Sequence, residues 1–426
     1  MSKTIQPVRG MNDILPGDAP YWQQVEANAA RLFADYGYRR IRLPALERTE
    51  LFSRSIGESS DIVEKEMYTF VDRSGDQVTL RPEATAGVVR ACLSNGLLHN
   101  QQQKLWCSGP MFRHEKPQRG RYRQFHQLSL EALGYAEPEI DAEIIVISAR
   151  LWQALGIESV TLELNSLGTA EARAGYKRAL VDYFGAHRDA LDEDSARRLE
   201  RNPLRILDSK NEAMRGLIAG APLLSDYLDD ESREHFESVK ALLGDVGIGF
   251  VLNPRLVRGL DYYSRTVFEW VTDKLGSQGA ICSGGRYDGL ITELGGRDTP
   301  AVGWALGLER VVELMRAEGQ TPEEPAPDVC LVAVGEAARR KGFALAESLR
   351  RELPGLRIVL GQPSAGFKAQ LRRADRSGAR FALILGDDEV ASGTVGLKDL
   401  RGDSGQQSLT EGELVVTLGA RAQSVE

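Results

Sequence analysis

Residues 112–131, read FRHEKPQRGRYRQFHQLSLE, hold the densest set of groups able to do chemistry. The pattern predicts two antiparallel strands joined by a short basic loop, where Lys116, Pro117, Gln118, Arg119 and Gly120 supply turn chemistry and charge. Side chains on a strand alternate between faces. One face of the second strand then carries Arg121, Arg123, Phe125, Gln127, Ser129 and Glu131. The other carries Tyr122, Gln124, His126, Leu128, Leu130 and Ala132. On the first strand Arg113 and Glu115 share a face. Two arginines, an aromatic ring, an amide and a carboxylate make a poor core surface. They suit the floor of a site for a ligand with phosphates, a flat ring and an ammonium group. A charged hairpin solvated on one side is the competing reading.

Three other stretches weigh on that choice. Val78 to Arg81 reads as a strand running through Pro82 into Glu83, Ala84 and Thr85, where a helix begins and continues through Ala91. Strand-to-helix junctions commonly present binding groups, although Thr85 also suits a plain helix cap. LVRGLDYYSRTVFEWV, residues 256–271, places Arg258, Tyr262 and Tyr263 around Gly259, ahead of a β-prone run from Thr266 to Val271. CSGGRYDGL, residues 282–290, has paired glycines that let backbone approach a ligand or another strand, or simply turn. VGWALGLERVVELM, residues 302–315, reads as a helix with Gly303, Gly307 and Arg310 at i, i+4 and i+7. Each glycine inside a helix costs about 1 kcal/mol relative to alanine, which predicts close packing or a charged ligand on that face.

The elements that would position these groups span 426 residues, enough for two or three domains. Helical spacing runs from Asp18 to Tyr36 and again from Glu139 to Leu155. Tyr38 to Leu43 and Thr161 to Asn165 alternate as strands, and Leu51 to Gly57 suits a short helix. Asp61 to Phe70 has no decisive period. Residues 168–250 are rich in Ala, Arg, Asp and Glu with helical periodicity and read as a mostly helical insertion. GQTPEEPAP, residues 319–327, is a linker by composition. Beyond it strands (Val329–Val334, Leu356–Leu360, Phe381–Leu385, Thr394–Leu397) alternate with helices (Ala337–Leu353, Phe367–Ser377), as in a small α/β domain. Residues 328–426 carry 14 Lys+Arg against 13 Asp+Glu, while the whole chain has a net charge of −8. Lys368, Arg372 and Arg376 recur at i, i+4 and i+8 on one helix. They form either a solvated face or a contact for a phosphate backbone.

Composition narrows the class. Hydrophobic residues make up 42% and charged residues 27%, as in a soluble globular protein. No apolar run approaches the ~20 residues of a membrane span, and the N-terminus lacks the apolar region of a signal peptide. Cys92, Cys107, Cys282 and Cys330 have neither zinc-site nor disulfide-framework spacing, which predicts a reducing, cytoplasmic setting and no metal site. The five histidines, His99, His114, His126, His187 and His235, carry no assigned chemistry.

Taken together, these stretches resemble the histidyl-tRNA synthetases, class II aminoacyl-tRNA synthetases, over essentially the whole chain. RLPALE with Pro44, FRHEKPQRGRYRQFHQ and GLER (307–310) resemble the three motifs of the class. LVRGLDYY (256–263) and GGRYDGL (284–290) resemble the histidine-specific signatures. Ala84 departs from the glycine frequent at that place in bacterial members. The resemblance implies an α+β catalytic domain over residues 1–325, built on an antiparallel sheet with flanking helices and including the insertion at about 168–250. It implies an α/β domain like anticodon-binding modules over residues 326–426.

It also implies activation of L-histidine by ATP, with Mg2+ accompanying the nucleotide, then transfer to tRNA(His) by a homodimer. Arg113 would hold the α-phosphate and the amino-acid carboxylate, and Arg258 the α-phosphate from the other side. Arg310 would clamp the γ-phosphate end, assisted by Arg121. Phe125 would stack on adenine and Glu115 accept from its amino group. Glu83, Ala84, Thr85 and Gln127 would surround the α-ammonium. Glu131, Tyr262 and Tyr263 would meet the imidazole. Lys116, Gln118, Arg119, Lys368, Arg372 and Arg376 are candidates for tRNA. A class II synthetase for another amino acid, and a non-catalytic paralogue that senses histidine, are the alternatives. The histidine signatures argue against the first, and the presence of Arg113, Arg258, Arg310 and the C-terminal module argues against the second.

Overall fold

A computed structural model describes residues 4–57, 60, 62–207, 209, 211–276, 279–322, 326–362, 364–402 and 405–422. The chain separates into two compact units, Met1–Pro322 and Glu323–Glu426.

The strands of the first unit are β1 (Arg39–Arg40), β2 (Leu46–Arg48), β3 (Tyr68–Val71), β4 (Gln77–Leu80), β5 (Gln103–Phe112), β6 (Gln124–Leu133), β7 (Thr161–Ser166), β8 (Val251–Leu252), β9 (Ser264–Val271), β10 (Ala280–Arg286) and β11 (Ala301–Gly307). Its helices are α1 (Ala19–Asp35), α2 (Thr49–Ile56), α3 (Thr85–Ser94), α4 (Pro138–Ala154), α5 (Ala170–Ala186), α6 (Glu193–Arg201), α7 (Arg215–Ala219), α8 (Asp230–Asp245), α9 (Leu290–Glu293) and α10 (Leu308–Ala317). Eight strands form the main sheet in the order β1-β5-β6-β11-β10-β9-β7-β8. Its interior pairs are antiparallel, and only the edge pairs β1/β5 and β7/β8 are parallel. A three-stranded sheet, β2-β4-β3, stands apart.

The period-two pattern of β6 decides which face of the sheet is core and which is site. Leu128, Leu130 and Ala132 join Val25 and Phe33 of α1, Ile144 and Leu151 of α4, Leu243 of α8 and Val311 of α10 in one apolar core. Trp304 on β11 and Trp270 on β9 bury their rings there. Their indole N–H groups donate to Ile144 O (2.9 Å) and Ser148 Oγ (2.7 Å) on α4, so neither burial leaves a polar group unpaired. The opposite face of the sheet packs a second core with α3, α5 and the tyrosines Tyr262, Tyr263 and Tyr287. The helical residues 168–250 divide between these cores: Tyr176, Leu180 and Phe184 of α5 join the second, whereas Val239 and Leu243 of α8 join the first.

Four local expectations change. The first strand of the hairpin ends at Phe112, so Arg113 and Glu115 lie in the loop between β5 and β6 rather than on a strand. Residues 302–315 are strand through Gly307 and helix only from Leu308. Gly284 and Gly285 sit inside β10 rather than in a turn after it. Tyr38–Leu43 forms a strand only at Arg39–Arg40. In the segment without a decisive period, Asp61 lies outside the described residues; a π-helical turn spans Ile62–Glu66 before β3.

The second unit is a five-stranded sheet ordered β13-β12-β14-β15-β16. Here β12 is Val329–Ala333, β13 Ile358–Leu360, β14 Phe381–Leu385, β15 Val395–Asp399 and β16 Gln407–Leu409. β12 runs parallel to both neighbours. Helices α11 (Glu336–Glu352) and α14 (Glu411–Ala422) cover one face and α12 (Phe367–Arg376) the other, while α13 (Asp387–Ser392) follows β14.

Candidate active site

Above β6, β11 and β10, on the face away from α1 and α4, the first unit has a cavity. Glu83, Thr85, Arg113, Glu115, Arg121, Phe125, Gln127, Arg258, Tyr262, Tyr263 and Arg310 all line it. Glu131 and Ala84 stand behind its wall, 0% and 1% exposed. These residues come from four separate stretches of the chain, brought together by the pairing of β6 with β11 and of β11 with β10.

At one end the groups are polar and buried. The Glu83 carboxylate accepts from the backbone N–H groups of Thr85 (2.6 Å) and Ala86 (2.8 Å), capping α3. Burial pushes its pKa up, and those two hydrogen bonds and Arg113 pull it back. Glu131 accepts from Thr85 Oγ1 (2.7 Å) at one oxygen and from the Tyr287 hydroxyl at the other. Burial pushes this carboxyl up to about 8, opposed by the Tyr287 and Thr85 hydrogen bonds. Tyr262 and Tyr263 pack with ring centroids 4.7 Å apart and planes tilted by 46°, and the Tyr287 ring lies 5.6 Å from that of Tyr262. The Gln127 Oε1 is buried without a hydrogen-bond partner. An orphaned acceptor in a cavity marks a place where a ligand donor belongs.

At the other end the groups are cationic. Arg113 Nε donates to Pro82 O at 2.9 Å, and its guanidinium carbon lies 5.2 Å from the Phe125 ring centroid. Arg310 stands in the first turn of α10, where Nε donates to Gly120 O (3.0 Å) and Nη1 to Ala280 O (2.6 Å). Its pKa is lowered first by burial and then by the positive charges of Arg121 and Arg113. Like charges gathered at this cost imply an anionic ligand. Arg258 pairs with Glu269 at 2.5 Å. Burial works against its charge, yet Glu269, joined by Tyr263 and Tyr262, more than offsets it and raises its pKa. Its Nε is buried without a partner. Arg121 forms an ion pair with Glu115.

Candidates for a polynucleotide partner lie outside this cavity. Lys116 is exposed, Gln118 pairs with Arg121 through the backbone, and Arg119 Nε meets Glu313 at 2.7 Å. Lys368, Arg372 and Arg376 are exposed on α12 of the second unit.

Sequence reasoning passed over Tyr287 and Glu269 and misread Gly303. Tyr287 stands in the quoted GGRYDGL, but its contact with Glu131 spans 156 residues of chain. Glu269 carries a local signal, a charged residue in a run otherwise suited to a buried strand, and Gly303 carries one in its missing side chain, which predicts close packing but on a helix rather than a strand. Gly303 is paired with Glu131 across β11 and β6, and a Cβ there would collide with the Glu131 carboxylate and Leu130 O.

Comparisons with known proteins identify the family. Residues 10–311 match the histidyl-tRNA synthetase family, and residues 328–421 match the anticodon binding domain. A histidine–tRNA ligase of Halorhodospira halophila is 58% identical over 417 residues, spanning 98% of this chain and 98% of its own. The apo histidyl-tRNA synthetase of S. aureus superposes with a TM-score of 0.82 at 34% identity, covering 98% of this chain and 100% of that one. The histidyl-tRNA synthetase of Nostoc sp. PCC 7120, 20% identical with a TM-score of 0.70 over 98% of this chain and 100% of its own, shares the fold. The chain belongs to the histidyl-tRNA synthetase family.

Proposed function

We propose that the chain activates L-histidine with ATP and transfers it to the 3′ end of tRNA(His), releasing pyrophosphate and AMP. The observation that carries this reading is one cavity with arginines at one end and a buried, doubly hydrogen-bonded carboxylate behind the other. In the first step an oxygen of the histidine carboxylate attacks the α-phosphorus. The bond from that phosphorus to the bridging oxygen breaks, and pyrophosphate leaves. In the second, a hydroxyl of the terminal ribose attacks the histidyl carbonyl carbon and AMP leaves. In-line displacement on a polyanion needs positioning and charge stabilisation more than covalent help.

Arg113 holds the α-phosphate and carboxylate with its planar fork. Arg258 meets the α-phosphate from the opposite side through the free Nε, and Arg310 takes the γ-phosphate end. Arg121 joins it on leaving Glu115, which frees that carboxylate for the adenine amino group beside Phe125. Glu83, Thr85 and the orphaned Gln127 Oε1 receive the α-ammonium next to Ala84. Glu131, Tyr262 and Tyr263 present hydrogen-bonding groups to the imidazole. A pocket built this way strands polar groups when an apolar analogue enters, which rejects it by about 10⁴–10⁵ without editing.

Mg2+ enters with the nucleotide in this reading. A homodimer fits the exposed apolar side chains of the small sheet, Leu46 (44%), Phe70 (47%) and Val71 (64%). A cytoplasmic setting fits four buried free cysteines. Among the described residues no helix is long and apolar enough to cross a membrane. The domains expected at 1–325 and 326–426 divide the work into catalysis and tRNA binding, with Lys116, Gln118 and Arg119 facing the acceptor end and Lys368, Arg372 and Arg376 the anticodon arm.

The test is ATP–pyrophosphate exchange with each of the twenty amino acids separately, without tRNA. Exchange with histidine alone is expected. Exchange with a different amino acid would keep the class and overturn the pocket, and none at all from folded protein would overturn the activity.

A further inference from the structure

We propose that side chains of residues 165–205 hold the loop 256–263 in its working position, with Arg173 as the positioning residue for the histidine end and Arg205 for the phosphate end. This rests on the reading of the site above. The loop carries Arg258, Tyr262 and Tyr263 into the cavity, yet it has no helix or strand of its own. Irregular backbone beside a buried site cannot satisfy its carbonyls through a ladder, so other groups must do so.

The donors come from one stretch of the chain. Asn165 Nδ2 donates to Leu256 O at 2.9 Å, and the Arg205 guanidinium donates to Gly259 O. Arg173 Nη1 bridges the carbonyls on either side of Tyr262, reaching Asp261 O at 3.5 Å and Tyr263 O more closely. The Asp261 side chain is gripped as well, accepting from Asn202 Nδ2 at 2.9 Å. From the loop's other end Arg255 reaches back, donating to Ala219 O (3.1 Å), Ala221 O (2.5 Å) and Pro222 O (2.8 Å). The end of α2 closes on the same point: a Cβ at Gly57 would strike the Asp261 carboxylate. The back of the loop is thus gripped by α5 and the turn after α6, while its front forms the wall of the cavity.

The grip is divided along the loop. Arg205 holds Gly259, next to Arg258. Arg173 holds the carbonyls around Tyr262 and Tyr263. Loosening each should therefore disturb a different half of the reaction, which general softening of the fold would not do.

The experiment measures histidine-dependent ATP–pyrophosphate exchange by the full chain and its R173A, R173K and R205A variants, alongside thermal midpoints. R173A is expected to raise the KM for histidine at least tenfold, with the KM for ATP within about threefold. R173K, which keeps the cation and a donor, recovers part of that loss and carries the test if R173A does not fold. R205A is expected to lower kcat at least tenfold while leaving the KM for histidine within about threefold. Constants of R173A and R173K within twofold of wild type would overturn the proposal, as would equal losses in every parameter for both positions. A wild type that exchanges with no amino acid would overturn the reading of the site and the clamp with it; an active wild type with unchanged variants overturns the clamp alone.

Discussion

Burial pushes the Glu131 carboxyl up to about 8, and the hydrogen bonds from Tyr287 and Thr85 pull against it. A carboxyl whose pKa is higher in the folded than in the unfolded chain binds more protons when folded. Its favourable contribution is therefore complete below the usual carboxylate range and is lost as pH rises toward about 8. Glu131→Gln cannot ionise, so its thermal midpoint should gain on that of wild type as pH is raised from 5 to 9; a constant gap would show that Glu131 is already ionised in the folded protein. The same residue tests specificity. Glu131→Ala should weaken histidine far more than ATP in pyrophosphate exchange, and an equal effect on both would remove Glu131 from the imidazole end. Arg258 belongs to the opposite term of the reaction. Arg258→Ala should cost about 10²–10³ in turnover, the loss typical of one preorganised electrostatic partner, with an unchanged far-ultraviolet spectrum. Unchanged turnover would take Arg258 out of the phosphate site.

Strand β10 and the turn after it show how an element aims a side chain. Arg286, 0% exposed, donates to Asp141 on α4 and to Tyr135 O at 2.8 Å. Asp288 accepts from Ala301 N at 3.0 Å and pairs with Arg286 at 3.2 Å. With both neighbours tied to the α4 side of the sheet, Tyr287 between them projects to the other side and meets Glu131. Strand β11 completes the pocket by leaving room. Gly303→Ala would drive a methyl group into the Glu131 carboxylate, an overpacking that costs about 1–3 kcal/mol. It should raise the KM for histidine more than that for ATP, and equal KM values would place the carboxylate away from the amino acid. The sequence makes some of this legible and hides the rest for physical reasons. The two faces of β6 are readable because one side is core and the other a site, so residue types alternate. β11 packs Val302, Trp304 and Leu306 into the core and turns Gly303, Ala305 and Gly307 to the other face, where Gly303 lies against Glu131 and the last two line the cavity; with no polar residue on either face, no polar–apolar alternation appears and the run passes for the start of α10. Arg113 and Glu115 are readable as site residues but not as loop residues, because a charged loop and a charged strand edge share a composition. The Tyr287–Glu131 contact depends on strand pairing and the Arg258–Glu269 contact on how the loop before β9 folds back on that strand, neither of which a local pattern encodes.

At the scale of the whole chain, acidity is unevenly distributed. Against a net charge of −8, residues 328–426 hold 14 Lys+Arg and 13 Asp+Glu, so the second unit approaches a polyanion without the repulsion of the first. Within it α12 turns one side to the sheet, burying Gln370 and Ala374, and exposes Lys368, Arg372 and Arg376 on the other. Nearby, Arg401 is neutralised by Asp375 at 2.8 Å and Arg357 by Asp328 at 2.9 Å. Among the described residues Lys368, Arg372 and Arg376 form no such pair, which leaves their charge available to phosphates. Ion release makes that role measurable. Each phosphate contact to a single strand contributes about 0.7 to the slope of log K against log salt. Replacing all three residues by glutamine in the full chain should reduce that slope for tRNA(His) by about 2. The effect on affinity should be largest at low salt, while exchange without tRNA, which takes place in the other unit, stays at its wild-type rate. An unchanged slope would return this face of α12 to the solvent, and a loss of exchange would mean that the substitutions had damaged the fold rather than an interface.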